Sequence, residues 1–183
     1  LGVFGGGVDS AKFAARFAKK VIVTDKGDEK KLADSIKELR QFDNIEFHIG
    51  GHQFEDFTSS DVIIVNPAVD ENNEYVKAAA ASKRLVTSQM EIFFRLCPAP
   101  IAAITGSNGK STTTALTAHL LSSGIGQKAF PYRKVWLGGN IGNQPLLCVL
   151  NEIQSNDLVV LELSSFQLEQ LANSGFAPHA SLI

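Results

Sequence analysis

Two cysteines, one methionine, one tryptophan and six prolines among 183 residues exclude several classes of protein at the outset. Cys97 and Cys148 stand far apart and form no C-x-x-C pair, so the chain carries neither a disulfide framework nor a cysteine metal cluster. Both read as reduced, partly buried thiols. No apolar run reaches the roughly 18 residues that a membrane-spanning helix requires, and no basic segment followed by an apolar stretch opens the chain. Excess positive charge is also missing: 17 Lys and Arg against 19 Asp and Glu give a formal net charge of −2. Broad binding to nucleic acid or to an anionic membrane calls for the opposite balance. A cytoplasmic protein acting on small molecules is expected, one that is a monomer when complete. An initiator methionine is absent too, and Ser181-Leu182-Ile183 stops in what reads as a buried strand, so a piece cut at both ends is expected.

What is present is an alternation of helix-like and strand-like segments. Val8, Phe13 and Phe17 recur at near-helical spacing through 8–19, and Val21-Ile22-Val23-Thr24 then reads as a short buried strand. Leu32, Ile36 and Leu39 predict another helix. Residues 45–47, 62–65 and 85–87 read as strands, with a helix over 75–81. Such alternation predicts an α/β protein with a doubly wound, mostly parallel sheet, its ligands at the carboxyl ends of the strands. A helix over 89–96 ends at Cys97-Pro98-Ala99-Pro100, where two prolines withhold the donors a continuing helix needs. The domain boundary is therefore placed between 1–97 and 98–183. The second domain restarts with a strand at 101–104, a helix over 110–121, and strands at 135–137, 158–161 and 180–183.

The densest chemistry lies in Ile101-Ala102-Ala103-Ile104-Thr105-Gly106-Ser107-Asn108-Gly109-Lys110-Ser111-Thr112, where a buried strand runs into a glycine-bracketed turn. Gly106 and Gly109 admit backbone angles that a Cβ opposes, so successive N–H groups can converge on phosphate oxygens at a helix start. Lys110 supplies a mobile positive charge to terminal phosphates, and Ser111 with Thr112 offers hydroxyls suited to the magnesium that accompanies ATP. Only Ser107 and Asn108 separate the glycines, a shorter loop than the common Walker A form. A plain glycine turn with an exposed lysine would need neither both glycines nor the hydroxyl run.

Three further strand ends add to this. Gly2-Val3-Phe4-Gly5-Gly6-Gly7, with Asp25 ending the next strand, resembles a dinucleotide fingerprint lacking its first glycine. By itself it equally suits tight packing or an NAD-dependent oxidoreductase. Glu162 follows four apolar residues, where a carboxylate is costly to bury unless it holds magnesium directly or through water, although a solvent-facing strand end could host it harmlessly. Gly138-Gly139-Asn140-Ile141-Gly142 brings a donor and an acceptor on Asn140 to a third glycine-rich end. Parallel sheets gather such ends along one edge, which predicts a shared cleft.

Residues 106–112, the string Gly138-Gly139-Asn140-Ile141-Gly142 and the string Leu161-Glu162-Leu163-Ser164-Ser165-Phe166-Gln167-Leu168-Glu169 resemble the Mur ligases of peptidoglycan synthesis. The last string resembles the branch that joins D-glutamate to UDP-N-acetylmuramoyl-L-alanine. This resemblance implies a Rossmann-like UDP-binding domain without its first strand, followed by part of a P-loop ATPase domain. It implies that Gly106, Ser107, Asn108, Gly109, Lys110, Ser111 and Thr112 bind ATP, that Ser111 and Glu162 hold Mg2+, and that Lys110, Asn140 and Glu162 serve catalysis. Asn140 and Ser164 would lie near the muramoyl-alanine moiety. Val3, Phe4, Asp25 and Lys26 would form the uridine pocket, while Asn66 and Pro67 would approach the diphosphate. Asn66-Pro67-Ala68 stands where the family often has Ser-Pro-Gly, which puts those contacts in question. Beyond the position of Ile183 the family carries a magnesium-linked histidine, a modified lysine and a third domain, so the chain alone is expected to be inactive. A non-catalytic UDP-sugar or nucleotide-binding module is the alternative. His48, His52, His119 and His179 are expected to be surface or packing residues.

Overall fold

A computed structural model describes residues 6–70, 72–141 and 146–183. The chain divides into two compact units, Leu1–Gln89 and Met90–Ile183.

The first unit runs α1 (Gly6–Ala15), β1 (Val21–Asp25), α2 (Ala33–Leu39), β2 (Ile45–Ile49), α3 (Phe54–Ser59), β3 (Val62–Val65), α4 (Glu74–Ala81) and β4 (Leu85–Ser88). β1 and β2 pair in parallel from Val21↔Ile45 to Asp25↔Ile49, and β3 and β4 pair in parallel from Val62↔Leu85 to Val65↔Ser88. Among the described residues no ladder joins the two pairs, so the expected alternation and parallel pairing appear as two short sheets. Val8 and Ala11 of α1 pack with Val23 and Leu39, and Phe57, Ile63 and Ala79 form a second core. The helix expected over 8–19 ends at Ala15. Asn44 explains where it stops: its Nδ2 donates to the carbonyls of Ala15 and Ala18 at 2.9 and 3.0 Å, satisfying acceptors that a helix end leaves open.

The second unit contains α5 (Gln89–Leu96), which begins at the division, then β5 (Ile101–Ile104), α6 (Lys110–Ser123), β6 (Val135–Gly139), β7 (Leu158–Glu162), α7 (Ser165–Asn173) and β8 (Ala180–Leu182). Its four strands are ordered β6-β7-β5-β8 and every pairing is parallel. β7 lies inside, and Val159, Val160 and Leu161 are fully buried, which is why that strand reads as an unbroken apolar run. Each such side chain contributes about 1.5–3 kcal/mol through burial. Ala118 of α6 packs with Ile104, Leu158 and Val160, so the helix lies against the sheet and its N-terminus is presented at the strand ends.

At the opposite end of β7, Asp157 is fully buried. It accepts two hydrogen bonds from Arg133 at 2.8 Å each, one from Trp136 Nε1 at 2.9 Å and one from the Gln154 amide at 3.0 Å. Burial alone would push its pKa up, but these donors outweigh it and hold the carboxyl at about 2. Lys134 covers the Trp136 ring at 3.3 Å from the centroid. The network anchors β6 to β7 at the end away from the predicted ligand edge.

Candidate functional site

The phosphate loop joins the end of β5 to the start of α6. Gly106 has φ of +134° and Gly109 has φ of +75°, both in the region that side chains disfavour, and Gly109 caps α6. Lys110 is the first helical residue, and its Nζ donates to the carbonyl oxygens of Gly106 and Ser107 at 2.9 and 3.3 Å. The lysine thus folds back over its own loop. Thr114, fully buried, donates to the Lys110 carbonyl at 2.7 Å and fixes the first turn, while Ser111 and Thr112 stay exposed. A pocket of about 330 Å³ opens here, lined by Thr105, Gly106, Ser107, Asn108, Lys110 and Thr113, with Ile104, Leu182 and Ile183.

Strand register brings the other second-unit residues to the same edge. Ile104 pairs with Glu162 on one side of β7, and Gly139 pairs with Glu162 on the other. Leu163 donates its N–H to Ile104 O at 3.0 Å, and Asn140 donates its N–H to Glu162 O at 2.9 Å. Glu162 is only 4% exposed, and its Oε2 is buried without a hydrogen-bond partner. Such an atom costs free energy unless something cationic or protic meets it. A hard oxygen donor beside a phosphate loop fits magnesium, which binds through one or two protein oxygens together with phosphate and water. No group of three or more His, Cys, Asp or Glu able to hold a metal occurs among the described residues.

Residues 104–183 match the Mur ligase middle domain. The UDP-N-acetylmuramoylalanine--D-glutamate ligase of Geobacter metallireducens is 38% identical over 97% of this chain, and that of Borreliella afzelii is 38% identical over all of it. The chain belongs to the Mur ligase family. It spans 37% and 38% of the lengths of those two relatives. Among solved structures, a pseudomurein peptide ligase type C from Methanothermus fervidus is 21% identical, covering 92% of this chain and 34% of its own, with a TM-score of 0.39, a likeness too distant to bear on the fold.

In this Mur ligase chain Ser164 has a structural part at the start of α7. Its hydroxyl accepts from the Gln167 N–H at 3.3 Å, while the Gln167 side chain accepts from the Ser164 N–H at 2.9 Å, a reciprocal capping box that starts α7. The first unit holds the remaining predicted residues. Asp25 ends β1, and its Oδ1 accepts from the Gly27 N–H at 2.8 Å. Lys26 Nζ stands 5.6 Å from the centroid of Tyr75. Asn66 follows β3 and closes an Asx turn with the Ala68 N–H at 3.0 Å, with Pro67 inside the turn. Val3, Phe4 and Gly142 lie outside the described residues. No helix among the described residues is long and apolar enough to cross a membrane.

Three histidines have more specific surroundings than expected. His48 lies between Asp56 and Glu46, 2.8 Å from each, and these two carboxylates raise its pKa. His52 sits against Thr24, Phe57 and Tyr75, and burial followed by the Lys26 charge lowers its pKa. His179 takes part in β5 edge pairing: its Nδ1 accepts from the Ile101 N–H at 3.1 Å and its own N–H donates to Ile101 O at 2.8 Å. The Thr24–His52 and Ile101–His179 contacts join residues 28 and 78 positions apart in sequence. Only the Gly50-Gly51 pair just before His52 could have drawn attention to it.

Proposed function

We propose that this chain supplies the UDP-substrate domain and part of the ATP site of a ligase that joins D-glutamate to UDP-N-acetylmuramoyl-L-alanine. The observation that carries this reading is the meeting of the Gly106–Gly109 loop, Lys110 and the unpartnered Glu162 carboxylate at one sheet edge. The names of the two relatives support the choice of substrates. In the proposed reaction the alanine carboxylate takes the γ-phosphoryl group of ATP, giving an acyl phosphate. The amine of D-glutamate then displaces phosphate and forms the amide, with loss of the ammonium protons to solvent.

Ser111 and Glu162 would hold Mg2+, which when bound supplies charge neutralisation at the phosphates. The loop amides and the α6 N-terminus orient the phosphates, and Lys110 leaves the Gly106 and Ser107 carbonyls to meet the same anion. Asn140, on the other flank of Glu162, would address the muramoyl-alanine end, and Ser164 lies at the start of the following helix. Asp25 and Lys26, with Asn66 and Pro67 at a second strand end of the first unit, would receive the uridine diphosphate. Positioning and electrostatics then carry the chemistry, and no protein nucleophile is needed. Small-molecule substrates without nucleic-acid partners are consistent with the charge balance, and the complete enzyme would be a cytoplasmic monomer.

Titrating the 183-residue chain with ATP and magnesium by calorimetry tests this. Wild type binds, and Lys110→Ala weakens binding at least tenfold with an unchanged circular dichroism spectrum. Equal binding by the two proteins removes the phosphate role of Lys110.

A further inference from the structure

Because no strand ladder among the described residues joins the β1 and β2 pair to the β3 and β4 pair, side chains must tie these two parts of the first unit together. Helix α3 belongs with the second pair, since its Phe57 shares a core with Ile63 and Ala79. His48, on β2, reaches across to it. Its Nδ1 lies 2.8 Å from Oδ2 of Asp56, a buried residue of α3, and its Nε2 lies 2.8 Å from Oε1 of Glu46. A neutral imidazole has a single N–H, so it would turn a lone pair toward one of these carboxylate oxygens. Both contacts are attractive together only in the imidazolium, which donates from both nitrogens. The two carboxylates are not equivalent. Glu46 is half exposed and also pairs with Lys20 at 2.6 Å, whereas the Asp56 carboxylate has no other hydrogen-bond partner among the described residues. Loss of the ring's charge therefore falls mainly on Asp56, a carboxylate already cut off from water.

We propose that the His48 imidazolium is a proton-operated latch, fastening α3 to β2 while it is charged and loosening α3 when the proton leaves. The charged groups that face the ring are Asp56 from α3 and Glu46 from its own strand, with Lys20, ahead of β1, behind Glu46; β1 sets the neutral Thr24 opposite. His52 is the other titratable ring that senses Asp56. Asp56 and then Glu46 raise the His48 pKa above the ordinary 6.5, whereas burial and Lys26 lower that of His52, so the two rings titrate on opposite sides of that value. With the folded value raised, the stabilisation is fully present below pH 6.5 and is lost as pH rises through the folded value. The latch has a reach beyond α3. Phe54 and Phe57 of that helix lie 4.6 and 5.0 Å from the Tyr75 ring, which Lys26 faces from its other neighbour strand end, so loosening α3 is felt beside Lys26.

Amide hydrogen exchange of the 183-residue chain, read as protection factors between about pH 6 and pH 9, tests the latch. In wild type the α3 amides lose about tenfold in protection over that range relative to the β7 amides, which report the second unit. In His48→Gln the α3 amides are less protected at pH 6 and their protection no longer depends on pH. Wild-type α3 protection that stays level would overturn the proposal, and so would a His48→Gln profile that falls as wild type does. Should His48→Gln fail to fold, the intact chain still answers through the ¹⁵N resonances of the His48 ring. At pH 6 both nitrogens resonate as N–H, and above pH 6.5 one of them moves to the position of a lone-pair nitrogen while the α3 amides lose protection in step. A lone-pair resonance already present at pH 6 refutes the latch.

Discussion

The main-chain oxygen of Glu162 accepts the Asn140 N–H at 2.9 Å, and Gly139 approaches that oxygen so closely that a Cβ would stand 2.1 Å from it. Gly139 also has φ of +86°. Two independent requirements therefore converge on glycine at this position. The obstructing atom is backbone of the central strand, which cannot swing aside as a side chain could. Gly139→Ala is expected to cost about 3 kcal/mol, seen as a melting temperature lower by roughly 6–12 °C. A change below 2 °C would mean that β6 and β7 do not meet as described.

Glu162 itself provides a test in the opposite direction. Its Oε2 is buried and unpartnered in the free chain, so the neutral isostere should relieve a desolvation cost. Glu162→Gln is expected to raise the melting temperature by about 2–4 °C, equivalent to roughly 1 kcal/mol, while weakening magnesium-dependent ATP binding at least tenfold. A gain in stability at the expense of a ligand marks a group held for chemistry. Loss of stability with intact ATP binding would assign Glu162 to the fold.

The phosphate loop was legible because its requirements are local: two glycines at left-handed angles, a lysine at the first helical position and a buried strand before them. Glu162 was legible for a similar reason, since a carboxylate closing an apolar strand is conspicuous in one dimension. The Asp157 network was not. Arg133 and Trp136 reach Asp157 only because the register places Val135 opposite Leu158, and no spacing rule anticipates that pairing. Helix α3 escaped for a different cause, being six residues long with no side-chain cap, below the length at which helical periodicity is readable. Helix α7 carries a readable start, Ser164-x-x-Gln167, but the same string matches a family signature, so capping and ligand chemistry compete for the same residues. The two separate sheets of the first unit depend on strand pairing, which alternation of helix and strand does not determine.

Asp157 should make stability respond to acid. Its folded pKa of about 2 lies below the ordinary carboxylate value of 3.8, so the ionised form is favoured by folding. The stabilisation is fully present above pH 4 and is lost as pH falls through 2, amounting to about 2 kcal/mol. Asp157→Asn should therefore melt well below wild type at pH 7, with the gap narrowing below pH 4 and closing near pH 2. A gap independent of pH would show that the side chain acts through packing and neutral hydrogen bonds alone.

Ser164 has two roles to separate, since it caps α7 and is proposed to lie near the muramoyl-alanine end of the substrate. Gln167 supplies the contrast, because it completes the same capping box from a side chain only 6% exposed. Ser164→Ala and Gln167→Ala each remove reciprocal cap bonds and are expected to destabilise the chain by about 1 kcal/mol, measured by urea denaturation. Binding of UDP-N-acetylmuramoyl-L-alanine, followed by calorimetry under conditions where both variants are fully folded, then distinguishes them. Ser164→Ala should weaken binding about fivefold to tenfold through loss of a hydroxyl contact, while Gln167→Ala stays within twofold of wild type. Equal weakening in both variants would mean that Ser164 serves the substrate only by holding the start of α7.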